Sequence, residues 1–289
     1  MPVTRRLTYR PPFDVDSLLA WLSVRAIAGV EYGEAGLYAR TLRLPRGHAT
    51  VELKPAAASS AWVLQATLTD GGDIEWGAGR CRELLDLDCD PGPIAHALSA
   101  DRTLAALIAR RPGIRVPGCT DGFELAVRAV IGQQISVAAA RRLAGRLVSS
   151  WGERIPTAND YLTHLFPTPA ALAEVPLESA GLTKRQAGTI RALARAVAAG
   201  ELSLEPSADR VKTRERLLAM PGIGDWTASY IAMRALRDRD AFPTADLGLR
   251  HAAGRLGLPD TTIGLREYSI RWCPWRAYAA MHLWASLGD

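Results

Sequence analysis

The chain has 289 residues, 48% of them hydrophobic and 22% charged, with a formal net charge of +5; this is room for two domains, or one large one, with a buried core, and the balance is that of an ordinary globular protein. No apolar run approaches the roughly 18 to 20 residues of a membrane span and the opening MPVTRRLTYR lacks the apolar core of a secretion signal, so a cytoplasmic protein without membrane contact is expected. Cys81, Cys89, Cys119 and Cys273 form no CxxC pair and no cluster with histidines, which excludes zinc or iron–sulfur sites of the usual spacing.

The first 90 residues are read as one α+β unit. After an Asp cap, DVDSLLAWLSVRAIAGV repeats apolar residues at helical spacing. GLYARTLRL, ATVELKP and SAWVLQATLTDGG then alternate, placing Leu42 and Leu44, Val51 and Leu53, and Trp62, Leu64, Ala66 and Leu68 on one side of successive strands. A period of two broken by glycine and proline predicts an antiparallel meander with one buried face, across which the helix packs.

From about residue 92 the period becomes 3.6. TDGFELAVRAVIGQQ, SVAAARRLAGRLVSSWG, TKRQAGTIRALARAVAAG and DRVKTRERLLAM each start near a capping residue, and the third ends on glycine. Ile190, Leu193, Ala194 and Val197 make the stripe of a packed helix. The remainder is expected to be all helical. Residues 113 to 289 carry 22 basic and 17 acidic side chains, against 13 of each before them. That excess suits a polyanionic partner and equally suits a solvated surface.

Between two helical stretches lies MPGIGDWTASY, residues 220 to 230. A helix ending near Met220, the turn PGIG and a helix starting near Trp226 make a helix–hairpin–helix. Gly222 and Gly224 free the backbone for positive φ and close approach, and the first amides of the second helix are without intrahelical partners. Such a turn can hold a phosphate, or it can be a tight corner between packed helices. Twenty residues on, FPTADLGLRH places Asp246 at a helix start, where a carboxylate serves as an N-cap, as a catalyst, or as both. Near the end, Trp272, Trp275, Tyr278 and Trp284 are either core residues or the walls of a slot for a flat ring.

The order LLAMPGIGDWTASY then FPTADL resembles the helix–hairpin–helix DNA glycosylase superfamily, and within it the bacterial 3-methyladenine DNA glycosylase II (AlkA) type. RPGIRVPGCTDGFELAVRAVIGQQISVAAA and RWCPWRAYAAMHLW extend the likeness over nearly the whole chain. The resemblance implies a TATA-binding-protein-like antiparallel sheet domain (residues 1–90), a central helical domain with the hairpin (120–238), and a second helical domain (91–119 with 239–289) that completes a cleft. It implies a monomer that flips alkylated bases out of double-stranded DNA and cleaves the base–sugar bond, working on the nucleoid. By position, Asp246 matches the catalytic aspartate, and Trp226, Tyr230 and Trp284 match pocket aromatics. Arg25 matches a cleft arginine, and Trp21 and Leu247 stand where the pocket has a smaller aromatic and an aromatic. Gly222, Ile223, Gly224 and Thr227 match the DNA-gripping hairpin, and Gln134 stands where a leucine plugs the gap left by the flipped base. No cofactor is implied beyond Na+ or K+ on the main-chain carbonyls of Leu218, Met220 and Ile223. The lyases of the superfamily carry a nucleophilic lysine where this chain has Trp226, and Lys54, Lys184 and Lys212 lie elsewhere. The expectation is a glycosylase that stops at the abasic site; a DNA-binding module without chemistry, or a relative with another lesion preference, are the alternatives.

Overall fold

A computed structural model describes residues 2–57 and 59–288. Five antiparallel strands, β1 (Pro2–Thr8), β2 (Glu31–Glu34), β3 (Leu37–Leu44), β4 (Gly47–Pro55) and β5 (Ala61–Leu68), form a sheet in the order β1-β5-β4-β3-β2. The alternation locates its inner face: the eight apolar positions from Leu42 to Leu68 named above are all buried. They pack on Leu18, Leu19 and Leu22 of helix α1 (Val15–Ser23) and on Ile74, Ala78 and Cys81 of α2 (Ile74–Leu84). Asp14 caps α1 by accepting from the Ser17 amide at 3.0 Å. Strand β1 gave little sequence signal, because an edge strand with mostly polar residues buries only Leu7. Strand β3 is buried on both faces rather than one: Ala39 packs with Leu162, and the Thr41 hydroxyl donates to the His164 carbonyl at 2.8 Å.

The rest of the chain supplies α3 (Pro91–Leu98), α4 (Arg102–Arg110), α5 (Gly122–Ile131), α6 (Val137–Trp151), α7 (Pro169–Leu172), α8 (Lys184–Ala198), α9 (Arg210–Ala219), α10 (Asp225–Arg234), α11 (Leu247–Arg255), α12 (Thr262–Ser269) and α13 (Arg276–Ala285). One departure from an all-helical segment is a two-residue ladder pairing Glu153–Arg154 with His164–Leu165. Most of these helices begin on an Asp, Ser or Thr whose side chain accepts from the first turn, and Thr183 with Gln186 completes a capping box on α8.

Among the described residues three large apolar clusters result, beside the small one of Leu37, Ala39 and Leu162. One lies between the sheet and its helices; a second joins α5, α6, α8 and α9; a third joins α3, α4, α11 and α13. Helix α10 belongs to both helical clusters, giving Ala228, Ile231 and Ala235 to one and Ala232 and Met233 to the other. A helix buried on nearly all sides is held rigidly. It is the spine on which the site is built.

Helix α13 carries a buried histidine with a pH consequence. Burial pushes His282 down to about 4 from an ordinary 6.5, and Asp14 offsets only part of this. The unfolded chain therefore gains a proton near pH 6.5 that the folded chain refuses until about 4. Stability from this group is complete above 6.5 and is lost progressively as pH falls toward 4, by roughly 3 kcal/mol in all. From pH 7 down to 4 the thermal unfolding midpoint of wild type should fall relative to that of His282→Leu, which lacks the group; a difference that stays constant with pH would show that His282 does not titrate on unfolding.

Candidate active site

Helix α9 ends at Ala219 and α10 starts at Asp225, so the hairpin is 220–224. Its two glycines do different work. Gly222 has φ +90, and a Cβ there would meet the Thr189 hydroxyl at 2.0 Å. That hydroxyl donates to the Pro221 carbonyl at 2.9 Å, tying the turn to α8. Gly224 is extended, with φ −98, and an added Cβ would face open space. Its lack of a side chain is a constraint only for something that approaches from outside. As N-cap it offers no side-chain bond to α10, which leaves the first amides of that helix open. Gly222→Ala is therefore expected to cost about 1 to 3 kcal/mol in urea unfolding, while Gly224→Ala costs under about 1 kcal/mol. Equal losses would refute the division.

The loop between α5 and α6 reaches the same turn. The Gln133 side-chain amide donates to the Gly222 carbonyl at 2.9 Å and to the Thr227 hydroxyl at 2.8 Å. Its neighbour Gln134 is turned the other way: it is exposed and held at φ +60, a conformation uncommon outside glycine. Ile135 and Val137 beside it are exposed apolar residues. The Thr227 side chain is buried and bonded to Gln133, and the Ile223 side chain is buried in the core, so of these two residues only the main chain is placed to meet a phosphate. For a cation on the carbonyls of Leu218, Met220 and Ile223, the donor chemistry is neutral oxygen, which suits a hard monovalent ion. Of the three, the Met220 carbonyl also accepts from the Ile223 amide at 3.1 Å.

Asp246 does what a helix-start aspartate does and more. As N-cap of α11 its Oδ1 accepts from the Leu249 amide at 2.8 Å. The Trp284 indole Nε1 donates to Oδ1 at 2.9 Å, and the Trp226 indole Nε1 donates to Oδ2 at 2.8 Å. Three neutral donors thus fix the carboxylate, and among the described residues no cation pairs with it. The two tryptophans come from α10 and α13, 58 positions apart, and meet only at this carboxylate. Their rings wall a cavity of about 390 Å³ bordered also by Trp21, Arg25, Tyr230, Arg234, Ile135 and Val137. Tyr230 stacks on Trp226 at a centroid distance of 5.5 Å and 13° between planes; Trp21 lies 5.5 Å from Trp284.

The inner end of the cavity is cationic. The Arg25 guanidinium lies 3.5 Å from the centroid of the Trp21 ring and donates to the Trp21 carbonyl at 3.1 Å. Burial lowers Arg25 to about 10, which still leaves it charged at neutral pH. Arg234, one turn beyond Tyr230, donates to the tyrosine oxygen at 2.7 Å and to the carbonyls of Pro117 and Gly118. Burial pushes the Tyr230 phenol up, but Arg234 and Arg25 outweigh it and set it below the ordinary tyrosine value. Cys119 also borders the cavity, and burial pushes its thiol to about 12, so it is a neutral wall rather than a nucleophile.

Asp246, Trp226, Tyr230, Trp284, Trp21 and Arg25 are brought together as the spacing and resemblance suggest. Leu247 is not with them: it is 76% exposed and does not border the cavity, because the first residue of a helix capped by Asp246 points away from the cap. Of the C-terminal aromatics, Trp272 and Tyr278 are core, bonded to Asp101 and Asp86, and only Trp284 reaches the site. Two residues were missed. Arg234 follows Trp226 and Tyr230 at intervals of four, a helical repeat visible in the sequence; Gln133 has no local signal, since its role depends on a hairpin 89 residues away. None of the three lysines borders the cavity.

Residues 4–121 match the AlkA N-terminal domain family, and residues 127–274 match the HhH-GPD superfamily of base excision DNA repair proteins. A probable bifunctional transcriptional activator/DNA repair enzyme AlkA of Mycobacterium tuberculosis is 45% identical over 285 residues, which cover 99% of this chain and 57% of that protein. The chain thus spans little more than half the length of this relative. The DNA-3-methyladenine glycosylase 2 of Escherichia coli is 34% identical over 98% of this chain and 97% of its own. Among solved structures, the 3-methyladenine DNA-glycosylase from Archaeoglobus fulgidus superposes with a TM-score of 0.85 at 24% identity over 97% of both chains, which establishes the shared fold.

Proposed function

The chain belongs to the HhH-GPD superfamily of base excision DNA repair proteins, and from that premise we propose that it is a monofunctional DNA glycosylase acting on alkylated bases, 3-methyladenine and 7-methylguanine among them, in double-stranded DNA. The observation that carries the reading is the Asp246 carboxylate, held by two indole donors at the wall of an aromatic cavity and, among the described residues, in no ion pair. A fixed negative charge is costly to keep unless the reaction uses it, and cleavage of the base–sugar bond develops positive charge on the sugar. The C1′–N bond breaks with its electron pair leaving on the base, Asp246 stabilises the oxocarbenium-like sugar, and water adds to C1′ with loss of a proton. Free base and an abasic site result. The hairpin amides grip a phosphate, and Gln134, presented outward on its left-handed backbone, fills the gap in the duplex. Trp226 in place of a nucleophilic lysine supports arrest at the abasic site.

No cofactor takes part in this scheme. Na+ or K+ on the hairpin carbonyls of Leu218, Met220 and Ile223 would add positive charge beside the phosphate. The enzyme acts as a monomer on the nucleoid, in the cytoplasm; no described helix is long and apolar enough to cross a membrane.

Incubation with methylated duplex DNA, followed by chromatography of the released bases, tests the reading. Free methylpurines should appear, strand cleavage should require added alkali, and borohydride should trap no enzyme–DNA adduct. Absence of released base would favour a DNA-binding module, and wild-type borohydride adducts would make it a lyase.

A further inference from the structure

Away from the cavity at Asp246, one stretch of surface gathers positive charge and leaves it unpaired. No acidic residue occurs between Glu124 and Glu153, nor between Glu178 and Glu201, and in the fold these two segments supply α6 and α8. Arg141, Arg142 and Arg146 of α6 and Lys184 and Arg185 in the first turn of α8 are all exposed. Among the described residues none of the five forms an ion pair, whereas Arg191 and Arg195, further along α8, pair with Glu178 and Glu174, each at 2.9 Å. Lys184 acts on Glu178 only as a more distant charge.

Packing joins the two helices into one patch. Gly181, in the turn before α8, has φ +90, and a Cβ there would lie 2.8 Å from Nη1 of Arg146. The glycine thus leaves room for the Arg146 guanidinium beside the turn that leads to Lys184 and Arg185. Cations are disfavoured at a helix N-terminus, and like charges repel one another when gathered. A polyanion laid across the patch relieves both costs.

The patch also has a defined position on the duplex. The Gln186 side-chain amide donates to the Ile131 carbonyl at 3.1 Å, so α8 starts beside the loop that carries Gln134. Gln133 ties that loop to the hairpin, and Arg141 borders the cavity. Arg142 and Arg146 lie about 9 and 15 Å along α6 from Ser136. Duplex grooves are about 6 and 12 Å wide, so whichever groove Gln134 enters, these cations reach toward the backbone on its far side.

We propose that the α6–α8 patch binds phosphates of the complementary strand, so that the protein holds both backbones: the lesion strand at the hairpin and its partner on Arg142, Arg146, Lys184 and Arg185. This rests on the glycosylase reading above. A grip on the opposite backbone holds that strand in place while the base leaves the stack, which a hairpin touching one strand does not do.

The test measures binding to a duplex carrying a tetrahydrofuran abasic analogue, from which no base can be released. Arg142→Gln/Arg146→Gln and Lys184→Gln/Arg185→Gln should each lose at least about tenfold in affinity, and the slope of log K against log salt should become shallower by about 2. Methylphosphonate linkages, which carry no charge, then identify the strand. In the complementary strand opposite the lesion they should weaken wild type at least about fivefold and the double variants less than about twofold; in the lesion strand they should weaken all three proteins alike. Affinities of both variants within about threefold of wild type would overturn the proposal, as would coupling to lesion-strand linkages instead. A wild type that shows the expected coupling but releases no base from methylated duplex would refute the glycosylase reading and leave the two-strand grip to a DNA-binding module. The double variants lie on different helices, so either decides the matter if the other does not fold.

Discussion

Asp246→Asn is expected to slow base release by at least about a thousandfold while leaving affinity for duplex DNA unchanged or tighter. Asparagine is isosteric and a good N-cap, so the bond from the Leu249 amide survives and α11 keeps its start. The side-chain oxygen still accepts from one indole, but the other indole meets an amide that donates rather than accepts. What is removed is the charge. Losing a single preorganised electrostatic contact to a developing charge costs about 2.7 to 4 kcal/mol in enzymes of other classes, and a full charge in an aromatic cavity is expected at the upper end or beyond. Removal of a carboxylate near a phosphate backbone also relieves repulsion, which is why binding should not weaken. Asp246→Ala separates the structural role: it adds loss of the cap, about 1 kcal/mol, visible in unfolding and absent from Asn. Binding and excision falling together in Asp246→Asn would mean that the carboxylate only caps the helix.

The second large effect lies behind the cavity. Arg40 of β3 is buried, with Nη2 at 2.7 Å from Glu124 of α5 and Nη1 at 3.4 Å from Glu31 of β2. Arg128 of α5 pairs with the same two glutamates at 2.8 Å, the Tyr38 hydroxyl donates to Glu31 at 2.5 Å, and Arg128 also donates to the Arg25 carbonyl at 2.7 Å. Burial raises Glu31, but Arg128 and Arg40 overcome it and hold the carboxyl below the usual range. Two cations and two anions therefore pin the sheet to the helix that starts the Gln133 loop, and set the backbone of Arg25. Arg40→Met removes one cation and leaves two buried carboxylates sharing the other. Breaking a buried network in this way costs about 3 to 5 kcal/mol, which urea unfolding will read. Arg10→Ala is the comparison: its pair with Asp90 is exposed, and the expected cost is under about 1 kcal/mol. If the two variants lose similar stability, the network is not what joins the sheet to the helices.

Much of this protein is legible from local chemistry. The period of two locates the inner face of the sheet, because a side chain in a strand alternates whatever the strand packs on. Caps locate helix starts, since an Asp or Thr hydrogen-bonds its own first turn, as Asp121 and Thr183 do. Asp246 could be marked as a helix start from its local spacing, whereas its further role and those of Trp226 and Tyr230 were implied by the resemblance to the glycosylase superfamily. The second glycine was misread for a related reason: Gly222 needs positive φ against Thr189 of another helix, whereas Gly224 is extended, and spacing alone does not separate them.

What only the tertiary structure decided is whatever depends on residues far apart in the chain meeting in space. Trp284 and Trp226 hold one carboxylate from helices 58 positions apart; Gln133 clamps a turn 89 positions away; Leu247, beside Asp246 in sequence, faces solvent. The cationic inner end of the cavity belongs to the same class. Arg25, Tyr230 and Arg234 are unremarkable as residues, and they converge on one cavity only when packing brings α1 and α10 together. Propensity, capping and periodicity act over a few residues and so can be read along the chain, while desolvation and the convergence of side chains exist only once the two helical cores have closed around α10.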